Sequence, residues 1–201
     1  TLILPQTPAR SVYFLCEGMM YATMNGPNGR EAGIEKYYAG DVIADFAVLA
    51  GLDNEYDVVA DTECLIAELP AEDFQSYAQS HAPLCRSLLL KSISAYRAAI
   101  LRIRELSLIK VRDRITAEIY RLALDEGAAA DATELTDEEA VHIDPAPSHE
   151  RIAIFTGTTR EAVSKQLSYL SKAGILKHRR GEIVVTDITA LKRLVSANAG
   201  L

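Results

Sequence analysis

The sequence predicts an α+β protein in three parts: a β-rich N-terminal part, one long helix, and a C-terminal part that combines helices with a short β-hairpin. Three observations predict this order. Short strands with Gly and Pro turns precede residue 83, apolar residues then recur at three- and four-residue steps, and a glycine turn joins two helices near residue 157. The 201 residues are 49% hydrophobic, which is enough for a folded core. No stretch approaches the roughly 18 uncharged apolar residues of a membrane span, so no membrane partner is expected.

Residues 1–83 are predicted to form a small barrel or jelly roll. The predicted strands lie at residues 12–15, 20–24, 34–38, 58–60 and 64–69. The first strand ends at Gly18, and the second leads into the turn sequence 25–29, which predicts a β-hairpin with a longer loop. Short strands separated by Gly and Pro turns at this spacing are typical of barrels and sandwiches.

Residues 84–110 are predicted to form one long helix, because no Gly or Pro interrupts them and apolar residues recur at helical steps. Its heptad-spaced apolar residues are Leu89, Tyr96 and Ile103 in one set, and Ile93 and Ile100 in another. Such a stripe either packs on the protein's own core or pairs with a second copy. We favour pairing, because a helix of this length, at about 1.5 Å per residue, would outreach a small domain. These five residues are the predicted dimer interface.

Residues 111–201 are predicted to form a separate, basic-ended domain. A helix is expected at 111–124, followed by an acidic loop or loose hairpin at 125–144 to which we assign no site. Residues 148–201 contain nine Lys and Arg against four Asp and Glu, whereas residues 1–147 contain 12 against 24. A basic end on an acidic body suggests a polyanionic partner, and a merely solvated basic face is the other interpretation.

Residues 148–170 carry the strongest motif, which predicts two helices joined at a sharp angle. Ser148 is a good cap for the first helix, and Gly157 stands where the chain must take a left-handed turn. Thr158, three residues before Glu161, predicts a capping box at the start of the second helix. The predicted buried residues of that helix are Val163, Leu167 and Leu170. The pattern fits a helix-turn-helix, with a plain αα-hairpin as the alternative.

The outward face of the second helix follows from this geometry, since the first residues of such a helix meet base edges in the major groove. Arg160 can donate two hydrogen bonds to guanine, Glu161 can accept one from the cytosine amino group, and Lys165 can donate to guanine or phosphate. A surface ion pair between Arg160 and Glu161 is the rival interpretation. Residues 175–187 then predict a strand, a basic turn and a strand, which is a wing for phosphate contacts. The predicted DNA contacts are Thr159, Arg160, Glu161, Ser164, Lys165, Ser168, Arg179 and Arg180.

These segments resemble the CRP/FNR family of bacterial transcription regulators. The resemblance rests on residues 12–18 (VYFLCEG), 38–43 (YAGDVI), 64–69 (CLIAEL) and 157–165 (GTTREAVSK). It implies an α+β fold with a cyclic-nucleotide-binding-type β-roll (a jelly roll), a long dimerisation helix and a C-terminal winged helix-turn-helix. It also implies a homodimer that reads a palindromic site in double-stranded DNA and contacts RNA polymerase. Family chains usually carry another strand and helix before the position of Val12, so we expect this sequence to lack the N-terminal part of the β-roll.

The cyclic-nucleotide pocket of the family is degenerate in this sequence. Its phosphate cassette has a Gly-Glu pair where this chain has Ala44 and Asp45, and an Arg-Ser pair where the alignment places Asn54 and Glu55. No Lys or Arg lies in the β-roll after residue 36, so a phosphate ester would meet repulsion and no cationic donor. We therefore predict that the protein does not bind cyclic AMP or cyclic GMP tightly.

No cofactor, metal site or catalytic site is predicted. An iron–sulfur cluster needs about four cysteines, whereas the chain has Cys16, Cys64 and Cys85, and the first histidine available to haem is His81. Residues 1–80 lack the histidines of a cupin-type metal site, and no nucleophile elbow occurs, so we do not expect an enzyme. The few scattered cysteines favour a reducing cytoplasm. Two alternatives stay open: a ligand- or redox-sensing regulator with an unidentified effector in the β-roll, and a module whose helix-turn-helix pairs with protein.

Overall fold

The computed structural model divides into two compact units, Thr1–Ala98 and Ala99–Leu201. It describes residues 1–27, 29–129, 140–179 and 181–199. Each unit has its own cluster of buried apolar side chains. Among the described helices, none combines the length and the apolar character needed to cross a membrane.

The N-terminal unit contains two three-stranded antiparallel sheets, with strand orders β4-β1-β6 and β3-β2-β5. Its strands are β1 (Ser11–Glu17), β2 (Met20–Asn25), β3 (Glu31–Tyr37), β4 (Val42–Ile43), β5 (Asp57–Ala60) and β6 (Leu65–Pro70). The antiparallel pair β2 and β3 is the hairpin that the turn sequence predicts. The predicted strands are confirmed.

Buried side chains from both sheets form the core of this unit. Val12 and Leu15 of β1 and Met20 and Ala22 of β2 are all buried. Gly18 joins these two strands with φ +89°, and a Cβ atom there would lie 2.3 Å from the Glu63 carbonyl oxygen. Only glycine fits this turn, because it has no Cβ and adopts a positive φ at little cost.

Two short helices of this unit were not predicted from the sequence: α1 (Asp45–Ala50) and α2 (Ala71–Ser80). The six residues of α1 are too few to show a helical period, and α2 buries only Phe74 and Ala78. Ala44 precedes α1 in the left-handed conformation, with φ 66°. Ala44 and Asp45, two of the four positions aligned with the phosphate cassette, therefore lie at the start of a helix.

The predicted long helix is present as α3 (Ala82–Leu108). Its heptad-spaced residues Leu89, Ile93, Tyr96, Ile100 and Ile103 are between 48% and 69% exposed to solvent. These side chains do not pack on the core of the described chain, so the first of the two interpretations of the stripe is not supported.

The C-terminal unit combines helices with a three-stranded sheet of order β7-β9-β8. Its elements are the last turns of α3, then α4 (Val111–Ala129), β7 (Val141–Ile143), α5 (His149–Thr156), α6 (Arg160–Lys172), β8 (Leu176–Arg179), β9 (Glu182–Val185) and α7 (Ile188–Ala199). Buried side chains from α4, α6 and all three strands share one core. The helix-turn-helix thus lies against a wing sheet, as predicted.

The acidic stretch 125–144 differs from its prediction as a loop or loose hairpin. Its first residues continue α4 to Ala129, and its end forms β7, which pairs with β9. Val141 and Ile143 are buried with the exposed His142 between them, and three residues give too short an alternation to recognise in the sequence. Residues 130–139 lie outside the described part of the chain.

The end of α3 is held to the C-terminal unit by a buried ionic cluster. Arg121 Nη1 lies 2.7 Å from Glu105 Oε1, and Arg121 Nη2 lies 3.0 Å from Glu118 Oε2. Both carboxylates are buried. Arg102 lies 3.6 Å from Glu105 and also donates to the Phe155 carbonyl oxygen at the end of α5. Buried charges are tolerated where they are paired in this way.

Candidate nucleic-acid interface

The ends of the two helices of the helix-turn-helix lie at, or within one residue of, the positions that the sequence predicts. The Arg151 N–H donates to Ser148 Oγ over 3.1 Å, which caps α5 as predicted. Gly157 follows α5 in the left-handed conformation, with φ 60°, also as predicted. The cap of α6 is Thr159, whose Oγ1 accepts from the Ala162 N–H over 3.3 Å. The predicted capping box from Thr158 is therefore wrong by one residue, because α6 starts one position later.

Side chains from α3 and α4 hold the turn between α5 and α6. A Cβ atom at Gly157 would lie 2.8 Å from Leu106 Cδ2, so a side chain at this position would push Leu106 away. The buried Arg114 donates to the carbonyl oxygens of Thr156 over 2.9 Å and of Gly157 over 3.2 Å. These carbonyls lie at the end of α5, where intrahelical donors run out.

The first turns of α6 present polar side chains to solvent. Thr159, Arg160, Glu161, Lys165 and Ser168 are exposed, while Val163, Leu167 and Leu170 are buried as predicted. The backbone N–H of Glu161 and the Thr159 hydroxyl lower the pKa of the Glu161 carboxyl, so this side chain is an ionised acceptor at neutral pH. Within the described residues, Arg160 and Lys165 make no hydrogen bond or ion pair, which leaves their donors available.

Ser164, the sixth predicted contact on this helix, is half-buried and already has a partner. Its Oγ lies 2.8 Å from Nδ1 of His149, at the start of α5. The His149 ring lies 6.0 Å from the ring of His178 on β8, measured between centroids. Sequence reasoning missed both histidines, because nothing local relates residues 149, 164 and 178.

One of the predicted wing cations, Arg179, is less available to an anion than the sequence suggests. Arg179 is exposed, but its Nε donates to the Glu182 carboxylate, which also lies 3.4 Å from Nδ1 of His142. The Arg179 hydrogen bond, with a smaller effect of His142, lowers the pKa of Glu182. Lys177 is exposed on β8. Arg180, the last predicted contact, lies outside the described residues.

A cleft of about 820 Å³ opens between the start of α5, the start of α6 and the wing. Ser148, His149, Arg160, His178 and Arg179 are among the residues that line it. The cleft thus collects hydroxyl, imidazole and guanidinium groups, which donate hydrogen bonds to anions, together with the carboxylate of Glu150, which repels them.

The degenerate phosphate cassette of the β-roll differs from this cleft, because the cation beside it is already paired with a carboxylate. Lys91 of α3 places its Nζ 2.9 Å from Asp45 Oδ2 and 2.5 Å from the Val42 carbonyl oxygen. Asp45 is only 4% exposed at its side chain. Asn54 donates to the Thr7 carbonyl oxygen, and Glu55 is exposed. The expectation that no cation reaches this region is wrong: a lysine from the following helix does, and Asp45 neutralises it.

Comparisons with known proteins agree with this architecture. The family model of the cyclic nucleotide-binding domain matches residues 1–81, and that of the Crp-like helix-turn-helix domain matches residues 113–194. The transcriptional regulator LdrP of Thermus thermophilus is 28% identical over 195 residues, which is 96% of this chain and 91% of that protein. The global nitrogen regulator of Synechocystis is 24% identical over 96% of this chain and 84% of its own length.

Solved structures show the same fold. A CRP-family transcriptional regulator from Thermus thermophilus superimposes with a TM-score of 0.77 at 24% identity, covering 99% of this chain and 94% of that one. FixK2 from Bradyrhizobium japonicum gives a TM-score of 0.78 at 19% identity, covering 96% and 91%. With a cyclic nucleotide-binding domain followed by a Crp-like helix-turn-helix domain, and with transcription regulators similar over almost its whole length, the chain belongs to the CRP/FNR family of DNA-binding transcription regulators.

Proposed function

We propose that the protein is a homodimeric regulator that reads a roughly palindromic DNA site through α6 and does so without a cyclic nucleotide. The observation that carries this proposal is the capped start of α6, where Arg160, Glu161 and Lys165 are all exposed above a buried Val163 and Leu167. In this role the protein would work in the cytoplasm, and the family resemblance adds RNA polymerase as a partner.

Base recognition is assigned to the first two turns of α6. Arg160 donates two hydrogen bonds to O6 and N7 of guanine, Glu161 accepts from a cytosine amino group, and Lys165 donates to guanine or phosphate. The rival surface pair between Arg160 and Glu161 is worth little, because both side chains stand in water. The remaining contacts, to phosphates, are assigned to Thr159, Ser164 and Ser168 and to the wing cations Lys177, Arg179 and Arg180.

Dimerisation is assigned to the exposed stripe of α3. Five apolar side chains at heptad spacing are roughly half or more exposed, so burying each of them in a dimer gains roughly half or more of the about 1.5–3 kcal/mol that full burial of a large apolar side chain contributes. When α3 of a second copy packs parallel to this helix, the apolar stripes of both helices are buried against each other. Two recognition helices related by a two-fold axis then read two half-sites one DNA turn apart.

Independence from cyclic nucleotides is supported by the Lys91–Asp45 pair. A phosphate at this position would have to displace a buried carboxylate from the ammonium group that it already neutralises. No arginine stands at the positions aligned with the Arg-Ser pair of the family, because this chain has Asn54 and Glu55 there, and the Asn54 amide already donates to Thr7. The β-roll then acts as a dimer scaffold or responds to a ligand of another class.

Selection of bound duplexes from a random DNA pool tests the central proposal. The wild-type protein is expected to enrich a palindrome, and Arg160→Ala is expected to lose about 1–3 kcal/mol of binding and to relax one base position per half-site. Lys172→Ala is the matched control, because Lys172 is a cation in the last turn of the same helix. Equal base preference of the wild type and Arg160→Ala would contradict the assignment.

Sedimentation equilibrium tests the dimer. Ile100→Glu places a charge in the stripe and is expected to give a monomer. Ala98→Glu is the control, because Ala98 is exposed and lies two residues from Ile100 outside the heptad positions. A dimer that survives Ile100→Glu would exclude the α3 stripe as its interface.

A further inference from the structure

His149 stands at the junction of the two helices and the wing. Its Nδ1 contacts Ser164 Oγ at 2.8 Å, and its ring is 6.0 Å from that of His178. Both histidines line the cleft that Arg160 and Arg179 also line. The half-buried imidazole is therefore tied to α6, the helix that carries the proposed base contacts.

Protonation of His149 determines the direction of its hydrogen bond with Ser164. A neutral ring leaves both directions open, because Nδ1 can accept the hydroxyl hydrogen or donate its own. A protonated ring can only donate, so Ser164 Oγ must accept, and the hydroxyl hydrogen turns away to another acceptor. In the proposed interface that acceptor is a DNA phosphate oxygen. One proton thus adds a charge to the cleft and restricts the His149–Ser164 hydrogen bond to the direction that keeps the Ser164 hydroxyl hydrogen free for another acceptor.

The charges around His149 oppose its protonation in the free protein. Burial, His178 and Arg160 together lower its pKa. Two other charged groups line the cleft: Arg179, whose cation is engaged by Glu182, and the exposed Glu150 of the same helix. A phosphate in the cleft reverses this balance, because a nearby negative charge favours the protonated ring.

We propose that His149 takes up a proton when a DNA phosphate enters the cleft, so that the affinity for DNA rises as the pH falls. This inference rests on the proposed function, since it assumes that α6 and the wing face DNA. The sign follows from linkage: a group that binds a proton more tightly in the complex makes binding stronger toward acid.

The test is the pH dependence of affinity for the selected duplex, measured by fluorescence anisotropy between pH 6.0 and 8.5 at constant ionic strength. This range stays above the sequence pI of about 5.2. Wild-type affinity is expected to rise toward pH 6.0, by up to about tenfold for each pKa unit that DNA adds to His149. His149→Gln is expected to flatten the profile, because the amide does not titrate.

The other histidines of the chain provide matched controls. His81→Gln and His142→Gln are expected to keep the wild-type slope, since neither residue lines the cleft. His178→Gln removes a neighbour that opposes protonation and is expected to move the rise toward higher pH. A slope that is lost in His178→Gln and kept in His149→Gln would overturn the proposal.

Proton NMR of the wild-type protein avoids any effect of substitution on folding. The His149 Hε1 resonance is expected to titrate at higher pH in the DNA complex than in the free protein. An unchanged or lower His149 pKa in the complex would overturn the inference, as would DNA affinity that is independent of pH. Absence of DNA binding at every pH would instead contradict the proposed function itself.

Discussion

The two units of this protein hold their cations in opposite ways. In the β-roll, Lys91 at the degenerate phosphate cassette is 2.9 Å from the buried Asp45. In the winged unit, Arg160 and Lys165 project into solvent without a partner among the described residues. The first place is aligned with the phosphate cassette of the family by resemblance alone, and the second is the proposed DNA contact surface, yet of these two places only the second offers an anion an unneutralised charge.

A basic residue near a site is therefore not enough to make an anion site. A phosphate gains only the difference between its own interaction and that of the anion it replaces, and Asp45 is already well placed and shielded from water. Arg160 gives up only water when it meets a base. We expect four measurable consequences for the two units, of which the first has the largest effect.

Lys91→Met should destabilise the β-roll by about 3–5 kcal/mol, because it leaves the Asp45 carboxylate buried without a partner. Hydrogen exchange of the β1 and β4 amides, combined with urea unfolding, measures the loss. The double variant Asp45→Asn with Lys91→Met should recover most of it, since both charges are then absent. If Lys91→Met were as stable as the wild type, the Lys91–Asp45 pair would be solvated, and the two units would not differ in how they hold their cations.

Lys177→Ala and Arg179→Ala should differ in their effect on the salt dependence of DNA binding. Lys177 is exposed without a partner among the described residues, so its loss should reduce the salt slope by about one counterion. Arg179 already pairs with Glu182, so its loss should change the slope less. Affinities measured between 50 and 200 mM salt, roughly the range over which such slopes are resolved, decide this. Equal slopes would show that partnered cations are as available as free ones.

His149 should also affect the stability of the free protein, in the direction opposite to its effect on DNA binding. Its pKa is lowered on folding, so the folded state binds fewer protons and loses stability as the pH falls through the ordinary histidine range. Between pH 8.0 and 6.0, urea unfolding of the wild type should lose slightly more free energy than that of His149→Gln, by less than about 0.5 kcal/mol after solvent screening. If His149→Gln lost more unfolding free energy than the wild type over this pH range, the prediction that folding lowers the pKa of His149 would be wrong.

The last prediction is that cyclic nucleotides have no measurable effect, because they do not bind. Titration of cyclic AMP or cyclic GMP into the wild-type protein should give no calorimetric signal of micromolar binding, because Asp45 holds the lysine that could have met the phosphate. A family member with an intact cassette serves as the positive control. Micromolar binding would show that the β-roll and the winged unit are both open to anions.

The sequence predicted well those features that are written locally. Ser148, Gly157 and the stripe Val163, Leu167 and Leu170 define the helix-turn-helix because caps, turns and helical spacing act over a few residues. The exact start of α6 was missed by one residue, since Thr158 and Thr159 are both good caps.

The features that escaped prediction depend on distant residues or on very short elements. Lys91 meets Asp45 across 46 positions, and His149 meets Ser164 across 15, so no local pattern reports either contact. The helix α1 and the strand β7 are too short to show a period. Arg179 and Glu182 are close in sequence, but they meet as cross-strand partners of β8 and β9, and the predicted wing did not specify that register.

The last turns of α3 have a consequence for dissecting the molecule. Arg102, Glu105 and Leu106 reach the end of α5, Arg121 and the Gly157 turn, so part of the interior of the C-terminal unit is supplied from before residue 111. A truncated polypeptide that begins at α4 would leave Arg121 without Glu105 and would uncover the turn that precedes α6. The shortest fragment that folds and binds DNA by itself should therefore begin near residue 99 and retain the last turns of α3.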